Sequence, residues 1–218
     1  MKIVFAHNVY NRFQTLKNTI SAERNHFPDS KIAVAHNDTF KNIFTEFNDI
    51  QFIEFGEKPH KIGCVNGCIL SIQQLMNTDF DVLIFSHDDV SIININVVNK
   101  HIEDIISGKY DVICRKPLSY NGLTEIFGGY YMMETVYFSK NAVLKLFTDI
   151  KTLKDENEIP TPISGGSISP EVWFYKLINN KELKINEIRF DIHANYNDNL
   201  SQQMGYFHKN IGLRGWND

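Results

Sequence analysis

The chain has 218 residues and a mass of 25.3 kDa, enough to bury a substantial core as one domain. Hydrophobic residues make up 43% and aromatic residues 12%, which excludes a disordered chain. A formal net charge of −4 without a block of like charge gives sequence-independent nucleic-acid binding no support.

The apolar run Ile3 to Ala6 is too short for a signal peptide, and no segment approaches a membrane span. A cytoplasmic location is expected, with peripheral membrane association left open. Three cysteines, Cys64, Cys68 and Cys114, have no zinc-site spacing and suit small buried side chains.

Lys2 to Ala6 reads as a first strand, followed by a loop from Asn8 to Arg12. Phe13, Leu16 and Ile20 form the apolar stripe of a helix. Ser30 to Ala35 is a second strand, ending at His36-Asn37-Asp38, and Ile50 to Phe55 a short third. Ile62, Val65, Ile69, Ile72 and Met76 then line one face of a long helix. Val82 to Phe85, preceded by Phe80 and Asp81, is a run of large apolar residues, the pattern of a strand buried on both faces, and after Ser86 it gives way to His87-Asp88-Asp89. This succession predicts a mostly parallel sheet flanked by helices, in an α/β fold.

In the second half, Val98, Ile102 and Ile105 mark a helix closed near Gly108, and Asp111 to Cys114 a strand. After Gly128-Gly129, Tyr130 to Phe138 is expected to be extended, and a helix follows with Val143, Leu146, Phe147 and Ile150 inward. Lys151 to Ser169 reads as a long polar loop, of a length usually tied to function. Ser169-Pro170-Glu171 has the makings of a helix start: capping serine, proline at the first position, acid in the first turn. Ile188, Phe190 and Ile192 alternate as a last strand, leading into His193 and a polar, aromatic tail.

Ligands of open α/β sheets sit beyond the carboxyl ends of the strands, where Asp88 and Asp89 fall. Two adjacent acids repel unless a cation, a proton or hydrogen-bond donors compensate. A hard divalent cation that also bridges phosphate oxygens is one compensator. The other reading is a solvated acidic turn capping the next helix.

Taken in this order, the segments resemble a glycosyltransferase of the GT-A fold, in the manner of family 2. The resemblance spans nearly the whole chain and is strongest over residues 2–90. It rests on the first strand and its loop, the second strand ending at Asp38, Lys61-Ile62-Gly63-Cys64-Val65-Asn66-Gly67, and the acidic motif. Gly128-Gly129-Tyr130-Tyr131-Met132 and Ser169-Pro170-Glu171-Val172-Trp173 extend it downstream. The usual Asp-x-Asp of the family reads His87-Asp88-Asp89 here, so its first acid is replaced.

The resemblance implies one domain over 1–218, with a nucleotide-binding half at 1–90 and an acceptor-side half at 91–218. It implies transfer of a sugar from a nucleotide-sugar, UDP-sugar first among the options, to a hydroxyl of a glycan or other acceptor, assisted by Mn or Mg. Asp89 would hold the metal, with His193 as a further ligand and His208 competing for that place. Asp88 would touch ribose or a metal-bound water. Asp38 would bind the base or ribose, Lys61 and Arg12 the diphosphate, with Asn8 and Asn66 as further donor-binding residues. Glu171 would be the general base of an inverting reaction. Tyr130 and Trp173 would stack on sugar, and the loop from Asp155 to Ser167 would close over the donor. The tail from His208 to Trp216 also faintly resembles a closing motif of retaining family 8 enzymes.

Plainer readings stand beside these: Asp38 as a turn residue, Lys61 and Arg12 as solvated cations, Glu171 as a first-turn acid stabilising the helix dipole. Two rival functions remain. A sugar nucleotidyltransferase would share the sheet, although Asn8-Val9-Tyr10-Asn11-Arg12 lacks the glycine-rich loop usual there. A degenerate, non-catalytic domain would bind a glycan or protein partner in the same cleft.

Overall fold

The computed structural model of the chain describes residues 1–9, 12–37, 49–56, 58–119, 124–125, 129–160, 169–179, 181–191 and 196–208. Asp38 and His193 lie outside them, as do residues 161–168 of the expected loop. The first half runs β1 (Ile3–Val9), α1 (Phe13–His26), β2 (Lys31–His36), β3 (Gln51–Glu54), α2 (His60–Leu75) and β4 (Val82–His87). The second half runs β5 (Val90–Ile92), α3 (Ile95–Ile106), β6 (Val112–Ser119), β7 (Thr124–Glu125), β8 (Thr135–Ser139), α4 (Lys140–Phe147), α5 (Pro170–Asn179), β9 (Ile185–Asp191), α6 (Tyr196–Met204) and β10 (Tyr206–His208).

The main sheet has the order β3-β2-β1-β4-β8-β6-β7, with β9 also on β6. Strands β3, β2, β1 and β4 are mutually parallel, β8 runs against β4 and β6, and β9 lies parallel to β6. The carboxyl ends of β1, β2 and β4 therefore open on one edge. The expected α/β class with a mostly parallel central sheet and flanking helices is the one observed.

Alternating side chains divide the core between the two faces. Val4 and Ala6 of β1, with Leu83 and Phe85 of β4, pack against α2, α4 and α5. Ile3, Phe5, Val82 and Ile84 point the other way, onto α1, α3 and α6. Such burial contributes about 1.5–3 kcal/mol for each large side chain. Gly67 lets α2 lie directly on β1, since a Cβ there would stand 2.6 Å from Asn8 Cβ.

Several boundaries differ from expectation. β1 continues to Val9, so Asn8 sits at a strand end and not in the loop. β6 continues past the expected end at Cys114, where Arg115 and Lys116 are buried in ion pairs. The extended strand is Thr135–Ser139 alone, and Ile150 lies beyond the end of α4 at Phe147, partly buried against the core. Within the segment read as loop, Glu156–Glu158 forms a 3₁₀ turn with a capping box on Asp155, and Ile159 is buried. Of the polar, aromatic tail, Tyr196–Met204 forms α6 and Tyr206–His208 forms β10, while the rest of the stretch from His208 to Trp216 lies outside the described residues.

α6 and β10 bring the chain back to the acidic turn. β10 pairs antiparallel with β5, with His208 opposite Val90. Gly205, at φ +80°, makes this return possible: it adopts the left-handed region and leaves room for Asn94 O and Val98 Cγ2, each 2.6 Å from where a Cβ would stand. Among the described residues no helix is long and apolar enough to cross a membrane.

Candidate functional site

At the carboxyl edge of β4, Asp88 and Asp89 form the turn into β5, and they are 8% and 3% exposed. The solvated acidic turn is thereby ruled out. Burying carboxylates is costly unless charges and donors compensate. The compensation for Asp89 comes from both chain ends of the site. Arg12 Nη1, from the residue before α1, donates to Asp89 Oδ2. His208 Nε2, from β10, lies 3.4 Å from Asp89 Oδ1. The backbone of the turn is fixed as well, because Thr19 Oγ1 of α1 donates to Asp88 O at 3.2 Å and lies 3.2 Å from Ser91 Oγ.

Beside the acidic turn, the ends of β1 and β4 meet the first turns of α2. Asn8 Nδ2 donates to Cys64 O at 3.4 Å, and Cys64 Sγ lies 3.9 Å from His87 Nε2. Burial drives the His87 imidazole down to about 4; Asp89 opposes this, while His208, His60 and Arg12 add to it. His87 is therefore neutral at pH 7 and adds no positive charge there. Burial also raises the Cys64 thiol, helped by the charges of Glu171, Asp88 and Asp89. Cys64 stays protonated and unreactive. Glu171, Asp88 and Asp89 thus all lie within electrostatic range of this one thiol. Lys61 stands in the first turn of α2, half-buried.

Glu171 occupies the first turn of α5, as expected. Ser169 Oγ donates to Glu171 Oε2, and Tyr130 also hydrogen-bonds to the carboxylate. Burial raises the Tyr130 phenol, with Glu171 reinforcing it, so the phenol keeps its proton and remains a donor. A carboxylate held this way is oriented and remains an acceptor.

Two expected participants do other work. Asn66 is 3% exposed and uses both ends of its amide on the backbone of Leu153: Nδ2 donates to Leu153 O at 3.0 Å, and Oδ1 accepts from Leu153 N at 2.7 Å. It clips the segment after α4 to α2 and does not face the acidic turn. Trp173 is buried in the core between α2 and α5, away from any stacking role.

Sequence reasoning passed over other residues. Glu134, 2% exposed, accepts from Arg115 Nη1 at 2.9 Å, and its carbonyl takes the His87 N–H at 3.1 Å. Arg115 Nε reaches Gln203 Oε1 of α6 at 3.2 Å, and its guanidinium lies 3.6 Å over the Phe190 ring. The network thus ties the end of β4 to the helix that delivers His208. No local pattern signals it, because each member comes from a different element. The short strand carrying His208 is likewise visible only through its pairing with β5.

Among the described residues, no group of three or more His, Cys, Asp or Glu side chains is placed to hold a metal ion. The pair available is Asp89 with His208. Neighbouring donors around an octahedral ion at about 2.1 Å stand about 3 Å apart. The 3.4 Å between Asp89 Oδ1 and His208 Nε2 fits such an ion with two protein ligands. Magnesium-type sites commonly have few protein ligands and complete their shell with water and phosphate oxygens.

No model of a known protein family matches the chain, and no curated protein matches it in sequence. The fold, in contrast, is shared with many solved structures. Residues 1–349 of TarS from S. aureus superpose with a TM-score of 0.52 at 12% identity, over 93% of this chain and 64% of that one. The bifunctional IspDF of Campylobacter jejuni gives 0.52 at 12% identity, over 88% of this chain and 50% of that one. A protein of Desulfovibrio desulfuricans G20 described as a nucleotide-diphospho-sugar transferase gives 0.47 at 10%, over 87% and 80%. The chain thus spans about two thirds of the TarS fragment and half of IspDF. With TarS and IspDF the chain shares the fold alone, a mixed α/β sheet flanked by helices.

Proposed function

We propose that the chain is a metal-assisted glycosyltransferase that moves a sugar from a nucleoside-diphosphate donor, UDP-sugar first, to an acceptor hydroxyl. The observation that carries this reading is the enclosed carboxylate of Asp89 at the strand-end edge, with His208 on one oxygen and Arg12 on the other. Asp89 and His208 are the residues that would hold Mn or Mg; this puts His208 in the place first expected for His193. When bound, the ion would stabilise the charge that develops on the departing diphosphate.

The chain's own residues do the rest. Arg12 and Lys61 supply cationic groups for the diphosphate, Arg12 through a bidentate fork and Lys61 as a point charge. Asn8, at the end of β1, and Asp88, in the turn after β4, are the further donor-binding residues of this reading. Glu171, oriented by Ser169 and Tyr130, accepts the proton of the attacking hydroxyl, the role of a base in an inverting displacement.

The test is turnover on a panel of nucleotide sugars with Mn, comparing wild type with Glu171→Gln. Loss of a general base lowers transfer about 10²–10⁴-fold while donor affinity is retained. Transfer at the wild-type rate in the variant removes Glu171 as the base. The leaving product separates the remaining readings: nucleoside diphosphate released from a nucleotide sugar marks sugar transfer, whereas inorganic pyrophosphate released from a nucleoside triphosphate offered with a sugar 1-phosphate in a parallel assay marks nucleotidyl transfer. A non-catalytic domain releases neither.

A further inference from the structure

We propose that Arg12 and a divalent cation compete for Asp89, and that Arg12 exchanges onto the donor diphosphate when the cation takes its place, so that cation and diphosphate bind cooperatively. This deepens the reading of Asp89 as a cation ligand and rests on it.

The two partners of the ion pair are unequal in freedom. The Asp89 side chain is 4% exposed, and its turn is held on α1 through Thr19 and on β10 through His208. The Arg12 side chain is 30% exposed, on a long flexible stem, and makes no capping hydrogen bond to α1. Arg12 is therefore the member that can move. A divalent cation on Asp89 Oδ1 would stand beside the guanidinium on Oδ2, and two cations on one carboxylate repel. A diphosphate resolves the conflict, since its oxygens accept the fork of an arginine and also ligate the ion. Arg12 and His208 face the two Asp89 oxygens.

The consequence is a coupling that must be the same from either side. Cation alone binds weakly, because it must displace Arg12. Diphosphate gives the displaced arginine a new partner and thereby tightens the cation.

Calorimetric titration of MnCl₂ into the full chain, with and without saturating UDP, tests this in wild type, Arg12→Gln and Arg12→Lys. Wild type should bind Mn²⁺ weakly alone and more tightly with UDP. Arg12→Gln should bind Mn²⁺ alone about tenfold more tightly and lose most of the enhancement by UDP, while Arg12→Lys keeps the wild-type weakness. A purely structural arginine predicts the opposite sign for Arg12→Gln. Unchanged or weaker Mn²⁺ binding by Arg12→Gln overturns the competition while leaving the cation site intact. If neither protein binds Mn²⁺ under any condition, the cation reading itself fails and the exchange with it. A gain that survives in Arg12→Gln/Asp89→Asn places the ion elsewhere and also overturns the proposal.

Discussion

Replacing Glu134 by glutamine separates the stability of the buried network from its effect on the site. Arg115 and Glu134 are 0% and 3% exposed in their side chains, with Nη1 and Oε1 2.9 Å apart. At an effective dielectric of about 20 their Coulomb attraction is about 6 kcal/mol, set against a desolvation penalty of several kcal/mol for each ion. The pair is therefore close to neutral as a unit, but removing one partner leaves a buried charge with its cost less well offset. Glu134→Gln should lose about 3–5 kcal/mol. For a chain of this size that corresponds to a melting temperature lower by roughly 10 °C. Arg115→Met combined with Glu134→Leu removes both charges at similar volume and should recover most of the loss. Urea unfolding of wild type, Glu134→Gln and the double variant measures all three. A loss below about 1 kcal/mol in Glu134→Gln, or a double variant as unstable as the single, would refute the reasoning. On the proposed function, the double variant should still transfer sugar poorly, because the Arg115 bond to Gln203 that anchors the helix before His208 is gone.

Two further outcomes follow from packing and burial. Gly67→Ala should destabilise by about 2 kcal/mol in urea unfolding, although alanine favours a helix by about 1 kcal/mol. The added Cβ would stand 2.6 Å from Asn8 Cβ, too near the β1 backbone for a side chain to swing away; a stabilised variant would show that α2 shifts freely. Glu23, fully buried against His7 Nε2 at 2.9 Å, has its carboxyl raised above 4.5, chiefly by burial. A raised folded value means stability that is whole below about pH 4.5 and is lost as pH rises through the folded value. Glu23→Gln lacks that loss, so its stability relative to wild type should grow as pH rises above about 4.5, by about 1.4 kcal/mol for each unit of upward shift. A difference independent of pH counts against a desolvated carboxyl.

The first half of the fold was legible in the chain because its elements are locally encoded. The run Val82 to Phe85 can satisfy its apolar surface only between two layers, and α2 shows its inward stripe at helical spacing. The acidic turn was legible for the same reason: polarity begins where the buried strand ends. Glu171 in a first helical turn needed only Ser169 and Pro170 beside it. Boundaries failed at Arg115 and Lys116, whose charges are neutralised by Glu134 and Glu187 from distant elements.

The sequence by itself determined the α/β succession, the strand-end position of Asp88 and Asp89, and the helix that presents Glu171, since each depends on neighbours within a few turns. Tertiary structure alone decided which charges meet. Arg12 and Asp89 are 77 residues apart, and His208 reaches Asp89 through a three-residue strand whose only signature is its partner. Asn66 was drawn away from the site by Leu153, 87 residues on. Ion pairs and backbone clips of that range leave no trace in local spacing, because they are selected by the close approach of elements and the cost of leaving a buried polar group unmatched.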